Sequence, residues 1–275
     1  MHGGTQLTLA AVHKKCWIFG GRVPIKSHIQ RCVVCVSTSR VLPYAFESTG
    51  VDYARPVQLK YFQGRGTRCY NGWIAVFVCF ITSAIHLEAV SDYTAEGFLK
   101  AFRRVTIRRG ICKTLYSDCG TNFKGAVVIL KQLITGTLNE SSYLQQILTS
   151  DETQWIFNPP GAPHMDGKWE AAVKSVKHHL QLTIADLLLT YEYFSTFLTQ
   201  VEALLNSRPL SGLTDDPRDI SALTPGHFIQ GAPLNTVSEP NLTNVPISRL
   251  SHYQRIQERL QYFRQRWSAE CPQSH

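Results

Sequence analysis

The sequence lacks the marks of secreted and membrane proteins. No apolar run follows a basic start, so we expect no signal peptide. Residues 69–87 contain no Asp, Glu, Lys or Arg, but β-branched and aromatic residues around Thr82-Ser83 favour two buried strands joined by a turn over a membrane span. The eight cysteines are scattered, several within apolar runs. We therefore expect a soluble chain in a reducing compartment, with no disulfide scaffold and no membrane partner.

The overall composition is that of a globular protein. The 275 residues are 44% hydrophobic and 11% aromatic, enough for one sizeable core with small appendages or for two modest domains. The formal charge of +8 and the pI near 9.1 indicate a polyanionic partner.

The stretch 163–177 organises the rest of the chain. It follows a proline-rich loop and has helical periodicity, with an apolar stripe at Trp169, Val173, Val176 and Leu180. Glu170, Lys174 and Lys177 repeat on a second stripe. A carboxylate followed by two lysines fits a metal-and-phosphate site, and it equally fits a solvated Glu–Lys ladder.

The N-terminal region ends in a C-x2-C pair, Cys32 and Cys35. Such a pair is half of a zinc site or a pair of buried thiols. Zinc is favoured because about 40 residues cannot stabilise themselves by core burial alone. The other ligands would come from His2, His13, Cys16 or His28.

The element order predicted from periodicity is three strands, helix, strand, helix, strand, helix, helix. Asp52 lies on the first strand, Asp118 at the end of the fourth and Glu170 in the helix after the fifth. This order matches the ribonuclease H-like α/β fold, a five-stranded mixed sheet flanked by helices. Three converging carboxylates would repel one another unless divalent cations neutralise them, and two Mg²⁺ ions about 4 Å apart could then support attack on a phosphodiester.

Many short runs, in order, resemble the integrase of a BEL/Pao-type LTR retrotransposon over residues 1–231. They include Gly50-Val51-Asp52-Tyr53-Ala54, His86-Leu87-Glu88, Tyr116-Ser117-Asp118, Gly120-Thr121-Asn122-Phe123, Trp169-Glu170-Ala171-Ala172-Val173-Lys174 and Asn206-Ser207-Arg208-Pro209-Leu210. The resemblance implies DNA 3′-end processing and strand transfer, with Asp52, Asp118 and Glu170 as the D,D,E ligands of two Mg²⁺ or Mn²⁺ ions. It also implies a Zn²⁺ module in which His2, Cys32 and Cys35 match family ligands.

The same resemblance gives the expected organisation of the chain. We expect a truncated zinc-binding module at 1–42, a ribonuclease H-like catalytic core at 43–212 and a truncated C-terminal extension at 213–275. The extension contains an amphipathic helix with an apolar stripe at Ile256, Leu260, Phe263 and Trp267. The chain would be a fragment of the Pol polyprotein. DNA is the expected partner, together with a second copy of the chain. The nucleus is the expected location, with the cytoplasm as the alternative, because no basic cluster serves as an import signal.

Three positions depart from the family pattern. Arg55 and Asp166 replace usual glycines, and Cys119 replaces a usual asparagine. An arginine so near Asp52 could pair with it and compete with the metal. The first histidine of the zinc module would precede the first residue of this chain, and His13 or His28 would have to replace it.

Several polar residues have two interpretations. Lys174, Lys177 and His164 fit DNA contacts, and they also fit solvated helix and loop positions. Asn122 is also placed among the expected DNA-binding residues, and it is expected to hold the loop near Asp118 by bonding to its backbone. Two further acids are interpreted as turn and edge residues, Glu88 and Asp92. Thr94 and Thr190 are predicted to cap helices. The basic face of the helix after Thr94 could lie on phosphates or be solvated.

Three functions share these residues. The favoured one is an integrase-type, metal-dependent polynucleotidyl transferase. The alternative from another class is a catalytically silent DNA-binding or assembly module, decayed or co-opted. A nuclease of the same fold, which cuts without joining, would use the same site.

Overall fold

A computed structural model describes residues 8–9, 12–13, 22–31, 44–137, 153–158, 167–184, 187–212, 222–234 and 239–270. Helices span Arg22–Arg31 (α1), Ala95–Arg109 (α2), Thr121–Thr137 (α3), Gly167–Ile184 (α4), Tyr191–Asn206 (α5), Pro225–Gln230 (α6) and His252–Glu270 (α7). Strands span Ser48–Tyr53 (β1), Val57–Lys60 (β2), Cys69–Cys79 (β3), Ile85–Val90 (β4), Thr114–Ser117 (β5), Gln154–Phe157 (β6), Leu189–Thr190 (β7), Ser211–Gly212 (β8) and Ala222–Leu223 (β9).

The main sheet is mixed, and its order identifies the fold. The long strand β3 pairs antiparallel with β1 on one side and with β4 on the other. β5 pairs in parallel with β1, and β6 in parallel with β5. The resulting order β4-β3-β1-β5-β6 is that of the ribonuclease H-like fold, which confirms the predicted fold class. β2 also pairs antiparallel with β3, and β7 in parallel with β2, so the sheet that the structure describes has seven strands and not the predicted five. The zinc-module ligands His2, Cys32 and Cys35 lie outside the described residues, so that part stays a prediction.

The sheet is covered on both faces, since nearly all of β3 and all of β4 are buried on both sides. One core cluster joins the sheet to α2 and α3 through Phe98, Phe102 and Phe123. The second joins it to α4, α5 and α7 through residues that include Val176 and Phe197. The predicted apolar stripes of these helices therefore face the sheet.

Two helix starts were predicted from threonines, with different outcomes. Thr94 caps α2, because its hydroxyl accepts a hydrogen bond from the Gly97 N–H at 3.0 Å. Thr190 lies at the N-cap position of α5, but its side chain makes no capping hydrogen bond. The prediction of the boundary was correct, and the prediction of the capping bond was wrong.

The strand β4 has its outer backbone groups bonded by side chains. The Asn206 amide accepts from the Ile85 N–H at 2.8 Å and donates to the Ile85 carbonyl at 2.7 Å. The Glu202 carboxylate accepts from the Leu87 N–H at 2.9 Å, and Arg104 donates to the Ala89 carbonyl at 2.8 Å. Side chains from α5 and α2 thus occupy the positions that a further strand would take, which protects the edge from pairing with another chain.

The C-terminal helix α7 packs on the same core. Its predicted stripe is confirmed: Ile256 and Phe263 are buried, and Leu260 and Trp267 pack against them. The buried ring of His179 on α4 lies edge-on to Phe263 and Trp267. In the described part of the chain, no helix is long and apolar enough to cross a membrane.

Candidate functional site

Two neighbouring parallel strands carry the first two predicted acids at the same edge of the sheet. β1 and β5 pair with Gly50 opposite Tyr116. Asp52 and Asp118 each lie two residues further along, so the register places them side by side where the two strands end. The fold therefore brings together two acids that are far apart in sequence.

Asp52 makes two charge-assisted contacts. Its Oδ1 accepts a hydrogen bond from the Tyr53 N–H at 2.7 Å, and its Oδ2 forms an ion pair with the ammonium of Lys177 on α4. The side chain of Asp52 is 32% exposed, so solvent or a ligand still reaches it. The structure corrects one expectation, because Lys177 and not Arg55 forms this ion pair.

Asp118 is exposed and lies in a tight turn before α3. Its Oδ1 accepts a hydrogen bond from the Gly120 N–H at 3.0 Å. A Cβ at Gly120 would lie 2.6 Å from Asn122 Oδ1 and 3.0 Å from Asp118 Oδ1. The absence of a side chain at Gly120 therefore leaves room for the carboxylate of Asp118 in this orientation.

Asn122 does not play the role predicted for it. Its side chain is 3% exposed, and neither amide atom bonds the loop backbone that the structure describes. The amide lies beside the hydroxyl of Tyr53, the residue that follows Asp52. Burial prevents direct contact with DNA in this structure, so we assign Asn122 to the packing beneath the two acids.

The helix α4 carries the remaining predicted residues. Position 170 lies in its first turn, about two turns before Lys177, and the side chain of Glu170 lies outside the description. Lys174 is exposed. His164 and Asp166 precede the helix, outside the described residues. Helix α4 therefore reaches Asp52 through Lys177, and position 170 lies about two turns nearer to the N-terminus of the helix.

Aromatic side chains beside the acids were not predicted as part of the site. The ring of Tyr93 lies 4.4 Å from that of Trp73 and 5.0 Å from that of Tyr53, between ring centroids. Partial burial, followed by the negative charges of Asp118 and Asp52, raises the pKa of the Tyr93 phenol. Tyr93 therefore lies near both acids and is 40% exposed. Its position after β4 carries no motif that would have indicated this.

The two other acids near the site have different roles. Asp92 is a turn acid, as predicted: its Oδ1 accepts a hydrogen bond from the Thr94 N–H at 3.2 Å. Glu88 is not an edge acid, because it is 4% exposed and pairs with Arg104 at 2.5 Å and Arg108 at 2.9 Å. The basic face of α2 is thus partly neutralised within the molecule.

His86 joins Glu88 to a second buried acid. Its Nε2 lies 3.0 Å from Glu88 and its Nδ1 lies 3.1 Å from Glu202, which also pairs with Arg109. Burial alone would lower the pKa of His86, but the bonds to Glu202 and Glu88 outweigh it and raise the pKa. Burial would raise the pKa of both acids, and hydrogen bonds from His86 together with the arginines lower it instead.

The acid pair has donors suited to a hard divalent cation. Mg²⁺ and Mn²⁺ prefer carboxylate oxygens, and the ammonium of Lys177 already places a positive charge against Asp52. In the ranges that the structure describes, no three His, Cys, Asp or Glu side chains form a metal-sized group. Asp52 and Asp118 therefore suit a divalent cation whose remaining ligands come from outside the described side chains.

Comparison with known proteins gives distant structural neighbours. No protein-family model matches the sequence, and no curated protein matches it. One solved neighbour is a simian T-cell lymphotropic virus intasome in complex with the PP2A regulatory subunit B56 gamma, with 13% identity, 85% of this chain and 74% of that chain covered, and a TM-score of 0.40. Another is the HTLV-2 integrase catalytic core domain in complex with magnesium, in its trimeric form, with 12% identity, 67% and 97% covered, and a TM-score of 0.36.

Proposed function

We propose that this chain is a metal-dependent polynucleotidyl transferase that carries out DNA integration. The observation that carries the proposal is the pair of acids, Asp52 and Asp118, at the carboxyl ends of adjacent parallel strands in a ribonuclease H-like sheet. Glu170, in the first turn of the helix that runs past Asp52, is the proposed third ligand. Divalent cations bound there would activate the attacking oxygen and stabilise the leaving one.

The residues around the acids would position DNA. Lys174 is exposed one turn after position 170, and Lys177 reaches Asp52, so both can neutralise phosphates next to the reacting bond. The net charge of +8 favours the approach of DNA. Water would be the attacking group in 3′-end processing, and a DNA 3′-hydroxyl in strand transfer.

The finer parts of the proposal follow from the sequence resemblance. We propose the BEL/Pao type of retrotransposon integrase, DNA ends and target DNA as partners, self-assembly and a nuclear site of action. We also propose Zn²⁺ binding by His2, Cys32 and Cys35 in the N-terminal module.

A catalytically silent DNA-binding module is the second candidate. The observation in its favour is the Lys177–Asp52 ion pair, since an ammonium against the first acid competes with a metal ion for the same oxygen. A silent module would bind DNA through the same basic surface without breaking or joining it.

The test is a reaction that requires only the ribonuclease H-like catalytic core. A branched DNA is incubated with Mn²⁺ or Mg²⁺ and the wild-type chain, Asp118→Asn, Glu170→Gln or the control Glu192→Gln. Glu192 is an exposed acid in the first turn of α5, so its variant makes the same charge change away from the site. We expect cleaved and rejoined strands with the wild type and the control, and none with the other two. DNA binding without products in the folded wild type would support the silent module instead.

A further inference from the structure

The turn between β2 and β3 is a basic, exposed segment that follows Asp52 along the chain. We call residues 60–69 the basic hairpin. No acidic residue occurs between Asp52 and Glu88, whereas Lys60, Arg65 and Arg68 all lie in the hairpin. None of these three forms an ion pair with an acid that the structure describes, in contrast to Arg104, Arg108 and Arg109 of α2. Their charge is available to a partner.

Two aromatic side chains stand out from the same hairpin. Tyr61 is 64% exposed and Phe62 is 67% exposed. Only Tyr61 has a described aromatic neighbour, Tyr70, at 4.7 Å between ring centroids. Exposed rings interleaved with cations are the combination that binds nucleic acid, because cations neutralise phosphates and rings stack on bases.

The hairpin has a defined backbone. The Tyr61 N–H donates to the Arg68 carbonyl at 3.3 Å, and the Thr67 hydroxyl donates to the Gly64 carbonyl at 3.4 Å. Gly66 adopts φ +76°, which permits the reversal. The cations and rings therefore project from a turn whose backbone is held by these two hydrogen bonds.

Two neighbouring depressions, which share the lining residue Leu188, lie between Lys177 and the hairpin. A cleft of about 330 Å³ is lined by residues that include Arg55, Lys177 and Leu188, and Lys177 contacts Asp52. A second depression shares Leu188 and is lined by Lys60 and Gly64 of the hairpin. A strand of DNA leaving the acids could follow this path with a cation beside it at both ends.

We infer that the basic hairpin binds the DNA arm that leads away from the acid pair, through its phosphates and through stacking on Tyr61 and Phe62. This inference rests on the proposed function. From Asp52 to Lys60 the chain spans eight residues, or at most about 29 Å. At 3.4 Å per phosphate of one strand, the hairpin meets the arm within about eight nucleotides of the reacting bond.

The charge contribution is tested by the salt dependence of DNA binding in Ca²⁺, which prevents chemistry. Fluorescence anisotropy compares the wild type with Arg65→Gln/Arg68→Gln and with the control Lys100→Gln/Arg103→Gln. The control cations lie on α2, on the other face of the sheet. Each variant is measured on a branched DNA with an arm of about 20 nucleotides and on one whose arm is cut to about 4.

For the hairpin pair on the long arm, we expect the slope of log K against log salt to fall by about 1.8, since each lost phosphate contact contributes about 0.9. We expect no change with the control pair or on the short arm. An unchanged slope, an equal fall in the control, or an effect that persists on the short arm would overturn the inference.

The stacking contribution is tested on an arm that is single-stranded near the hairpin. Tyr61→Ala/Phe62→Ala should weaken binding at least about fivefold, the lower range for one base stacked on an aromatic ring. Tyr253→Ala, an exposed tyrosine on α7 that is 49% exposed, should not. Equal affinity of the hairpin variant and the wild type would remove the stacking role. Asp118→Asn, measured for both binding and cleavage, separates a failure of this inference from a failure of the proposed function.

Discussion

At the scale of single residues, the contact that defines the site is the ion pair between Lys177 and Asp52. The ammonium of Lys177 can therefore have two roles. It neutralises Asp52 when no metal is bound, and it can bind a DNA phosphate when a metal ion replaces it at Asp52. Because the pair is partly exposed, solvent screens it and moving the lysine away is inexpensive.

Replacing Lys177 by methionine should separate these two uses. Lys177→Met keeps most of the side chain and removes the competing charge, so Mn²⁺ should bind several-fold more tightly. DNA binding should lose one phosphate contact, and the slope of log K against log salt should fall by about 0.9. Isothermal titration measures the first, and anisotropy measures the second.

Lys174→Met is the matched control, because Lys174 is exposed on the same helix and no described contact joins it to Asp52. It should leave Mn²⁺ affinity as in the wild type. If Lys177→Met binds Mn²⁺ no better than the wild type does, the ammonium does not compete with the metal.

At the scale of elements, the buried charges of His86, Glu88 and Glu202 hold β4 to α2 and α5. The pKa of His86 is raised above its usual 6.5, and the pKa values of both acids are lowered below their usual 4.5. The histidine therefore stabilises the fold below about pH 6.5 and loses this effect as pH rises through its folded pKa. The acids stabilise it above about pH 4.5 and lose theirs as pH falls through their folded pKa values.

We expect the free energy of unfolding to be greatest between about pH 4.5 and pH 6.5 as far as this network is concerned, and to decline on either side. Urea unfolding from pH 4 to pH 8 measures it. His86→Gln should remove the decline above pH 6.5 while keeping the acid limb. A wild-type stability that stays flat from pH 6 to pH 8 would show that His86 is neutral in the fold.

The edge of β4 gives a second test at this scale. Asn206→Ala removes both hydrogen bonds to Ile85 and leaves buried backbone groups unpaired, which should cost about 2–4 kcal/mol of folding free energy. The exposed control Asn244→Ala should cost little. Equal urea midpoints for the two variants would mean that the backbone N–H and carbonyl of Ile85 find other hydrogen-bond partners.

These elements also show where sequence reasoning succeeded and where it failed. Strands and helices followed from apolar periodicity, because burial against the sheet repeats along each element. The bonding partners of Glu88 and Asn206 could not be predicted from periodicity, because they belong to other elements of the fold. Asn206 was identified from the sequence only as part of a run that resembles the family, and the hydrogen bonds of Asn206 and Glu202 to β4 give both residues a structural role.

At the scale of the whole molecule, α7 belongs to the packing of the α4 and α5 face. Phe263 is fully buried there. Phe263→Ala should therefore destabilise the chain by about 3–5 kcal/mol, as for other buried aromatic truncations. Its neighbour Tyr262 is 36% exposed, so Tyr262→Ala should have a much smaller effect. Thermal and urea unfolding compare the two variants. A similar loss of stability in both would show that α7 does not pack on the core.

The basic residues of the molecule differ in whether they are paired with buried acids. Arginines on α2 are paired with buried acids, whereas Lys177 of α4 lies against the partly exposed Asp52, and the cations of the basic hairpin have no described acidic partner. The position of the two acids was predictable, since strand order and parallel register place them together. The ion pair with Lys177, the aromatic group around Tyr93 and the two depressions that share Leu188 required the structure, because they join side chains from different elements.

The central claim is that Asp52 and Asp118 form a metal site that acts on DNA, and metal binding tests it most directly. Mn²⁺ is titrated into the wild type, Asp118→Asn and the charge-matched control Glu192→Gln, and bound metal is measured by electron paramagnetic resonance. We predict that the wild type and Glu192→Gln bind Mn²⁺ alike and that Asp118→Asn binds at least about tenfold more weakly, since one ligand carboxylate is lost. Equal binding in all three, or no binding in a folded wild type, would contradict the claim.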